Sequence, residues 1–416
     1  MNISILASGT RGDVQPYIAL GVGLKQGGHT IRILTSDDFE ELVTGAGLEF
    51  ASIGDSIEMM LQNDEWRNVT ERGNFLLIVS KMQAEMKKRA YQFAEKIPPL
   101  LTQTDMMIAG AGGMGFSIAE KLKIPLVQAF VYPFTPTSEF PSPLTPKLSF
   151  GRLFNRASFH AMRQLIWQSG RMGDVTVRRA LGLKRGSFFG HYRQENRLKL
   201  PVLYGFSRYV IPKPADWGTH HHVTGYWFLD PSPNWQPPQP LVSFLEAGSP
   251  PVYVGFGSMG SRNPEETLKT TLKALALSGQ RGVLASGWGG MNQTDLPETV
   301  YMLPSIPHSW LFPKMATVVH HGGAGTTSAG LRAGVPTIIT PFMGDQAFWG
   351  HRIAQLGVGT KPIPRKKLTA EALANAIRES ITSTTMRQKV KELGEKIRAE
   401  DGMMNARVLI EQFAKG

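Results

Sequence analysis

The chain has 416 residues, too many for one ordinary core and enough for two domains of roughly 200 residues each. A hydrophobic content of 42% fits a globular protein, and the absence of cysteine excludes disulfides and thiolate chemistry and suits a reducing compartment. The net charge of +12 is uneven: between Gly151 and Leu200 eleven Lys/Arg face only Asp174 and Glu195, which puts +9 in that one segment.

The opening "MNISILASGTRGD" lacks a basic n-region and a long apolar core, so it reads as a first strand and not as a signal peptide. No apolar run approaches the roughly 20 residues that span a bilayer. A cytoplasmic protein is expected, or one peripheral to a membrane. "ISILAS" is a buried strand, "GTRGD" a loop, Val14 to Gly27 a helix and "TIRILTS" the next strand. "DMMIAG", "GFSIAEKL" and "IPLVQAFV" continue as strand, helix and strand, the pattern of right-handed parallel crossovers. Ile57 to Lys96 and Pro141 to Leu200 are longer, more helical insertions where an acceptor pocket could form. The second of them interleaves its cations with Phe154, Phe159, Ile166, Trp167, Phe188 and Phe189. That mixture suits an anionic membrane surface through residues 151–200, suits nucleic acid, and equally describes a solvated helical face over an ordinary core.

"THHHV" at His220 to His222 has no cysteine or carboxylate partner at ligand spacing, so no metal is expected there. "DPSPNWQPPQPL", Asp230 to Leu241, has five prolines in twelve residues and reads as a stiff linker. It separates a domain over residues 1–229 from one over 242–416. The alternation then restarts: "PVYVGF", "RGVLAS", "TVYML", "TVVH" and "PTIITP" are strands, and "NPEETLKTTLKAL", "AGTTSAGLRAG" and "DQAFWGHRIAQLG" are helices. Two doubly wound α/β domains follow. A last helical stretch, Leu368 to Gln412 in pieces, could cross back to the first domain.

The most informative stretch is "TVVHHGGAGTTSAG". A buried strand ends at the histidines, glycines make the turn, and a helix begins near Ala324. A helix N-terminus offers free N–H groups and a positive dipole end, so it holds anions, and glycine lets the backbone approach phosphate oxygens. Thr326 and Thr327 add hydroxyls, and a strand-end histidine can donate to a further oxygen. The turn is neither a P-loop, which carries Gly-Lys-Ser/Thr, nor a G-x-G-x-x-G fingerprint. Without the lysine, a diphosphate held by dipoles and one histidine suits a leaving group better than a phosphoryl group in transfer. The competing reading is a plain strand–helix turn. Adjacent histidines on a strand point to opposite sides, so joint chelation of a metal is not expected.

"HHGGAGTT" followed by "GLRAGVPTIITPF" and "GDQAFWG" resembles the nucleotide-sugar signature of family 1 glycosyltransferases, in the sterol glucosyltransferase branch. "SGTRGDVQPYIALG", "VTGYWF" and "VGFGSMGS" belong to the same resemblance. It implies a GT-B fold of two Rossmann-like domains facing across a cleft, and inverting transfer from a UDP-sugar without a metal or other cofactor. On the matching positions, His321, the turn glycine Gly323 and the Gly325–Thr326 backbone hold the diphosphate, with the Thr326 hydroxyl assisting. Ser258 faces the same phosphates, and Asp345 and Gln346 bind sugar hydroxyls. Carboxylate plus amide supplies the acceptors and donors that a hexose needs, although Asp345 could also N-cap its helix. At the base, Ser305 replaces the uracil-stacking tryptophan of plant members, so Ile306 and His308 are expected to contact it differently. Trp288 is a second stacking face or plain surface. UDP, and UDP-glucose in particular, rests on the resemblance alone.

Many members use a first-loop histidine as base. Here the loop "SGTRGD" has none, and His29 lies beyond the following helix. Asp13 is the candidate base, or else the N-cap of a helix starting at Val14. The expected acceptor is an apolar molecule bearing a hydroxyl, such as a sterol or other lipid, with a polyphenol or macrolide next. A UDP-sugar epimerase would need no acceptor pocket. A lipid- or nucleic-acid-binding module would not need intact His321, Asp345 and Gln346, so no nucleic-acid partner is expected.

Overall fold

The structure, a computed structural model, describes residues 1–54, 75–110, 113–145, 150–232, 234–256, 264–285, 296–303 and 306–415. Contacts divide the chain into two units. The first comprises Met1–Ser142, Lys147–Leu229 and Asp401–Gly416, and the second Asp230–Glu400 with Pro143–Pro146.

The first unit carries seven parallel strands: β1 (Asn2–Leu6), β2 (Thr30–Thr35), β3 (Glu49–Ser52), β4 (Met106–Ala109), β5 (Leu126–Phe130), β6 (Val202–Tyr204) and β7 (His221–Val223). Their order is β3-β2-β1-β4-β5-β6-β7, so chain direction across the sheet reverses between β1 and β4. β4 and β5 are buried at every residue, as parallel strands covered on both faces are. Ile3 and Ile5 sit beside Ile31 and Ile33 on one side and Met106 and Ile108 on the other. β3, β6 and β7 are absent from the sequence reading. At three or four residues each they are too short to show a period, and pairing alone makes them strands.

The second unit has five parallel strands: β8 (Val252–Gly255), β9 (Gly282–Ala285), β10 (Val300–Leu303), β11 (Thr317–His320) and β12 (Thr337–Ile339). Their order is β10-β9-β8-β11-β12, with the reversal between β8 and β11. Val252, Val254, Leu284, Val319 and Ile338 form one side of its core with Leu373 and Ile377. The proline-rich stretch is packed and not a free spacer. Asp230 takes a two-pronged ion pair from Arg332 at 2.5 and 3.0 Å, and Trp235 meets Trp310 edge-on at 5.5 Å. A helix, Gln239–Glu246, starts inside it and buries Leu241.

The C-terminal stretch breaks into Ala370–Thr382, Thr384–Ala399 and Gly402–Phe413. Ser383 and Asp401 are the stops, each capping the next helix by accepting the backbone N–H of Met386 (3.3 Å) and Met404 (2.9 Å). The third helix belongs to the first unit. It lies on the helix Arg11–Gln26 with Met403 against Gly23, and Asn405 Nδ2 donates to the Thr224 carbonyl at 2.8 Å. Gly402 passes so close to the Tyr226 carbonyl that a Cβ there would overlap it.

Candidate functional site

Open α/β sheets bind ligands beyond the carboxyl ends of their strands, where the order reverses. In the second unit those are the loops after β8 and β11. The first, which contains Ser258, lies outside the described residues. In the second, β11 ends at His320, and the helix Ala324–Ala333 begins with Gly323 as N-cap. No side chain caps this helix, and its first internal bond runs from Thr327 N to Gly323 O. The N–H groups of Ala324, Gly325 and Thr326 therefore precede the helical ladder. Gly322 adopts φ +97°, and a Cβ on it would come within 2.7 Å of Ile339 and 3.0 Å of the Gln346 carbonyl. Only glycine fits that turn.

The two histidine rings lie 6.2 Å apart and perpendicular to each other. His320 is fully buried, and its Nδ1 accepts the Gly322 N–H at 2.9 Å, so it builds the turn. His321 is half-buried, with Nε2 close to Gly323 and an enclosed Nδ1 that has no hydrogen-bond partner. Burial holds its pKa down at about 4, so the ring is neutral at pH 7 and has one N–H to donate. An unmatched buried nitrogen beside free helix N–H groups fits an anionic oxygen. Thr326 is half-buried in the first turn, whereas Thr327 is fully buried, which takes the Thr327 hydroxyl out of reach of a ligand.

Asp345 stands at the N-cap of the helix Gln346–Leu356, but its side chain does not cap. Its Oδ2 instead accepts the indole N–H of fully buried Trp349 at 2.8 Å. Gln346 is buried, and its Oε1 accepts the backbone N–H groups of Phe342 and Met343 at 2.7 and 3.0 Å. The pair is thereby fixed on a loop that its own side chains fold, and Gly322 places the glycine turn against the Gln346 backbone. The sequence brought these residues forward as one cluster, and the fold packs them as one.

The base-contact readings fare differently. Ile306 is 8% exposed and packs in the core with Leu303, Leu311 and Phe312. His308 stacks on Phe312 at 4.2 Å, with its Nε2 3.5 Å from the Tyr253 hydroxyl. Trp288 lies outside the described residues.

In the first unit the reversal falls between β1 and β4, and Asp13 follows β1. The helix starts at Arg11 with Thr10 as N-cap, not at Val14. Asp13 is the third helical residue of a capping box. Its Oδ2 accepts both the Thr10 N–H and the Thr10 hydroxyl at 2.9 Å. Thr-x-x-Asp was the signal for that box, and it lay unread in "TRGD". Burial raises the Asp13 pKa above 3.8, and the two Thr10 bonds oppose the rise. Gly9, at φ +134°, leaves no room for a Cβ, which would fall 2.5 Å from Asp13 Oδ2. His29 lies at the other end of the sheet, 3.2 Å from Glu411.

The basic segment forms the helix Arg152–Ala180 and a short helix Tyr192–Leu198. Two of its cations are internal. Arg163 donates to the Phe134 carbonyl, and Arg178 pairs with Glu120 and reaches Ser117 and the Lys184 carbonyl. Among the described residues no helix is long and apolar enough to cross a membrane, and no group of three or more His, Asp or Glu is assembled to hold a metal, His220–His222 included.

Residues 3–141 match the glycosyltransferase family 28 N-terminal domain, and residues 288–403 match the C-terminal domain of erythromycin biosynthesis protein CIII-like proteins. Two sterol 3-beta-glucosyltransferases of Arabidopsis thaliana are 37% and 38% identical over 98% of this chain. The chain spans 67% and 64% of those two proteins, and between 26% and 33% of fungal sterol 3-beta-glucosyltransferases. A Streptomyces glycosyltransferase solved with thymidine diphosphate aligns over 99% of both chains with TM-score 0.65 at 18% identity, a likeness of fold. The two parallel α/β units are those of a GT-B glycosyltransferase, and by its identity to the plant enzymes over nearly its whole length the chain belongs to the sterol 3-beta-glucosyltransferase family.

Proposed function

We propose that the chain transfers glucose from UDP-glucose to the hydroxyl of a sterol or similar apolar acceptor, with inversion at the anomeric carbon and without a metal. The observation that carries this reading is the turn after β11, where His321 Nδ1 lacks a partner beside an uncapped helix N-terminus. In that role the N–H groups of Gly325 and Thr326, the Thr326 hydroxyl and the neutral His321 ring share the charge of the departing UDP. Asp345 and Gln346, already fixed by Trp349 and by the Phe342–Met343 backbone, orient the sugar hydroxyls. Asp13 takes the acceptor proton as the new C–O bond forms. Both Thr10 bonds land on Oδ2, which leaves Oδ1 to receive that proton. The relatives named as sterol 3-beta-glucosyltransferases support the acceptor class.

Mass spectrometry of products from UDP-glucose with a sterol, a flavonoid and a macrolide tests the proposal. A hexosyl sterol is the expected product. Hydrolysis of UDP-glucose with no acceptor glycosylated, or a product only from the macrolide, would reject it.

A further inference from the structure

We propose that the loop joining Arg152–Ala180 to Tyr192–Leu198 docks on an anionic lipid surface by inserting Phe188 and Phe189. These neighbouring rings are 56% and 62% exposed and pack edge to face at 5.3 Å. A mere connection would leave two such side chains costly in water and its own backbone loose. This backbone is fixed. The Phe188 carbonyl accepts from Trp167 Nε1 at 2.9 Å, Gln168 Nε2 at 3.0 Å and Gln164 Nε2 at 3.4 Å. Positions 164, 167 and 168 share one helix face, so three donors converge on one oxygen. Ser187 Oγ accepts the Phe189 N–H at 3.1 Å, and the Arg171 guanidinium lies 4.9 Å over the Phe188 ring. On the approach to the tip, buried Arg178 holds the Lys184 carbonyl at 2.7 Å. The fold thus builds a rigid support whose tip is apolar and outward.

The charge around it selects the partner. From residue 179 to 199 the exposed charged side chains are Arg179, Lys184, Arg185, Arg193, Arg197 and Lys199, and all are cations. The one acid in that stretch, Glu195, is buried against His191. Leu198, 55% exposed, adds apolar surface among the same cations. Aromatic rings at a tip with cations beside them match the headgroup–acyl boundary of a membrane containing anionic lipid, where rings enter and cations stay with the phosphates. A protein partner of acidic character would be met by the cations but would need an apolar recess for the rings. The inference stands apart from the identity of the acceptor, because it concerns binding and not transfer.

Co-sedimentation of the full chain with phosphatidylcholine vesicles, with and without phosphatidylserine and at low and high salt, tests it. Binding is expected only with phosphatidylserine, and weaker at high salt. Phe188→Ser with Phe189→Ser is expected to weaken that binding by about tenfold or more, and Lys184→Gln with Arg185→Gln by roughly tenfold together. Both pairs are exposed, so thermal melting and UDP binding should match the unaltered chain. No binding to either vesicle, or undiminished binding by the double Phe variant, overturns the proposal. So does a chain that ignores vesicles but forms a dimer which the Phe variant dissolves, since the surface would then belong to a second copy.

Discussion

The capping bonds of Asp13 use one carboxylate oxygen, and the proposed proton transfer uses the other, so the two roles can be separated experimentally. Asn presents a carbonyl oxygen that can accept both Thr10 bonds, so Asp13→Asn keeps the capping box while removing the proton acceptor. Transfer is expected to fall by roughly 10²–10⁴-fold, with the melting temperature and UDP affinity unchanged. Steady-state kinetics beside a melt decide it, and near-normal turnover would leave Asp13 a cap alone. The pH profile carries a second sign. Burial raises the Asp13 pKa, so activity should be lost on acidification at a pH above the ordinary carboxylate value of 3.8, and kept above that limb. His321 is a matter of affinity. Its ring is neutral with a pKa near 4, and in the proposed role its N–H donates to a charged phosphate oxygen. Replacement by Ala should weaken UDP by about 1.5–3 kcal/mol, the cost of a hydrogen bond to a charged group. Calorimetric titration measures this, and unaltered affinity in a folded variant removes His321 from the site.

At the scale of elements, legibility followed length and burial. β1, β4, β8 and β11 were readable because each is rich in apolar residues and is followed by a loop containing glycine. β7 was not, because "HHV" carries no period, and His221 is buried where it pairs with β6 and packs on Trp217 and His220. The glycine turn after β11 was legible residue by residue, since its strand end, turn and helix start lie in contiguous histidines, glycines and threonines. The surroundings of Ile306 were not, because nothing in "PSIPHSW" shows that this loop position completes the core between β10 and the helix His308–Leu311. Asp345 shows a middle case. Its spacing of four to Trp349 was visible, but cap and latch look alike in sequence. The closing helix gives a prediction at this scale. Gly402→Val forces side-chain atoms into the Tyr226 carbonyl, and overpacking of that kind costs typically 1–3 kcal/mol. The first unit should melt earlier while UDP binding by the second is spared. An unshifted melt would show that the helix yields without strain.

For the whole molecule, the proposed donor site would link UDP binding to stability through one unit. UDP that binds only folded chain at a hundred times its Kd stabilises it by about 2.7 kcal/mol. Hydrogen exchange with UDP should slow most at the turn from His320 to Thr326 and the segment from Phe342 to Gln346, which touch each other. Protection confined to the first unit would refute the assignment of the donor site. The two sheets were legible as wholes because each repeats strand, helix and strand, whereas the return of Asp401–Gly416 was legible only as an option, since helix–helix packing depends on which glycines meet which side chains. That return also orders the chain's making. The first unit is interrupted, with Asp230–Glu400 inserted between β7 and the helix that completes it. On the ribosome, at roughly 5–20 residues per second, the half that emerges first is the last to be finished. The second unit is whole before Asp401 is added, and until Phe413 is in place the side of Arg11–Gln26 on which the last helix lies has no cover. A message cut short just after Glu400 would yield a complete second unit and a first unit left open.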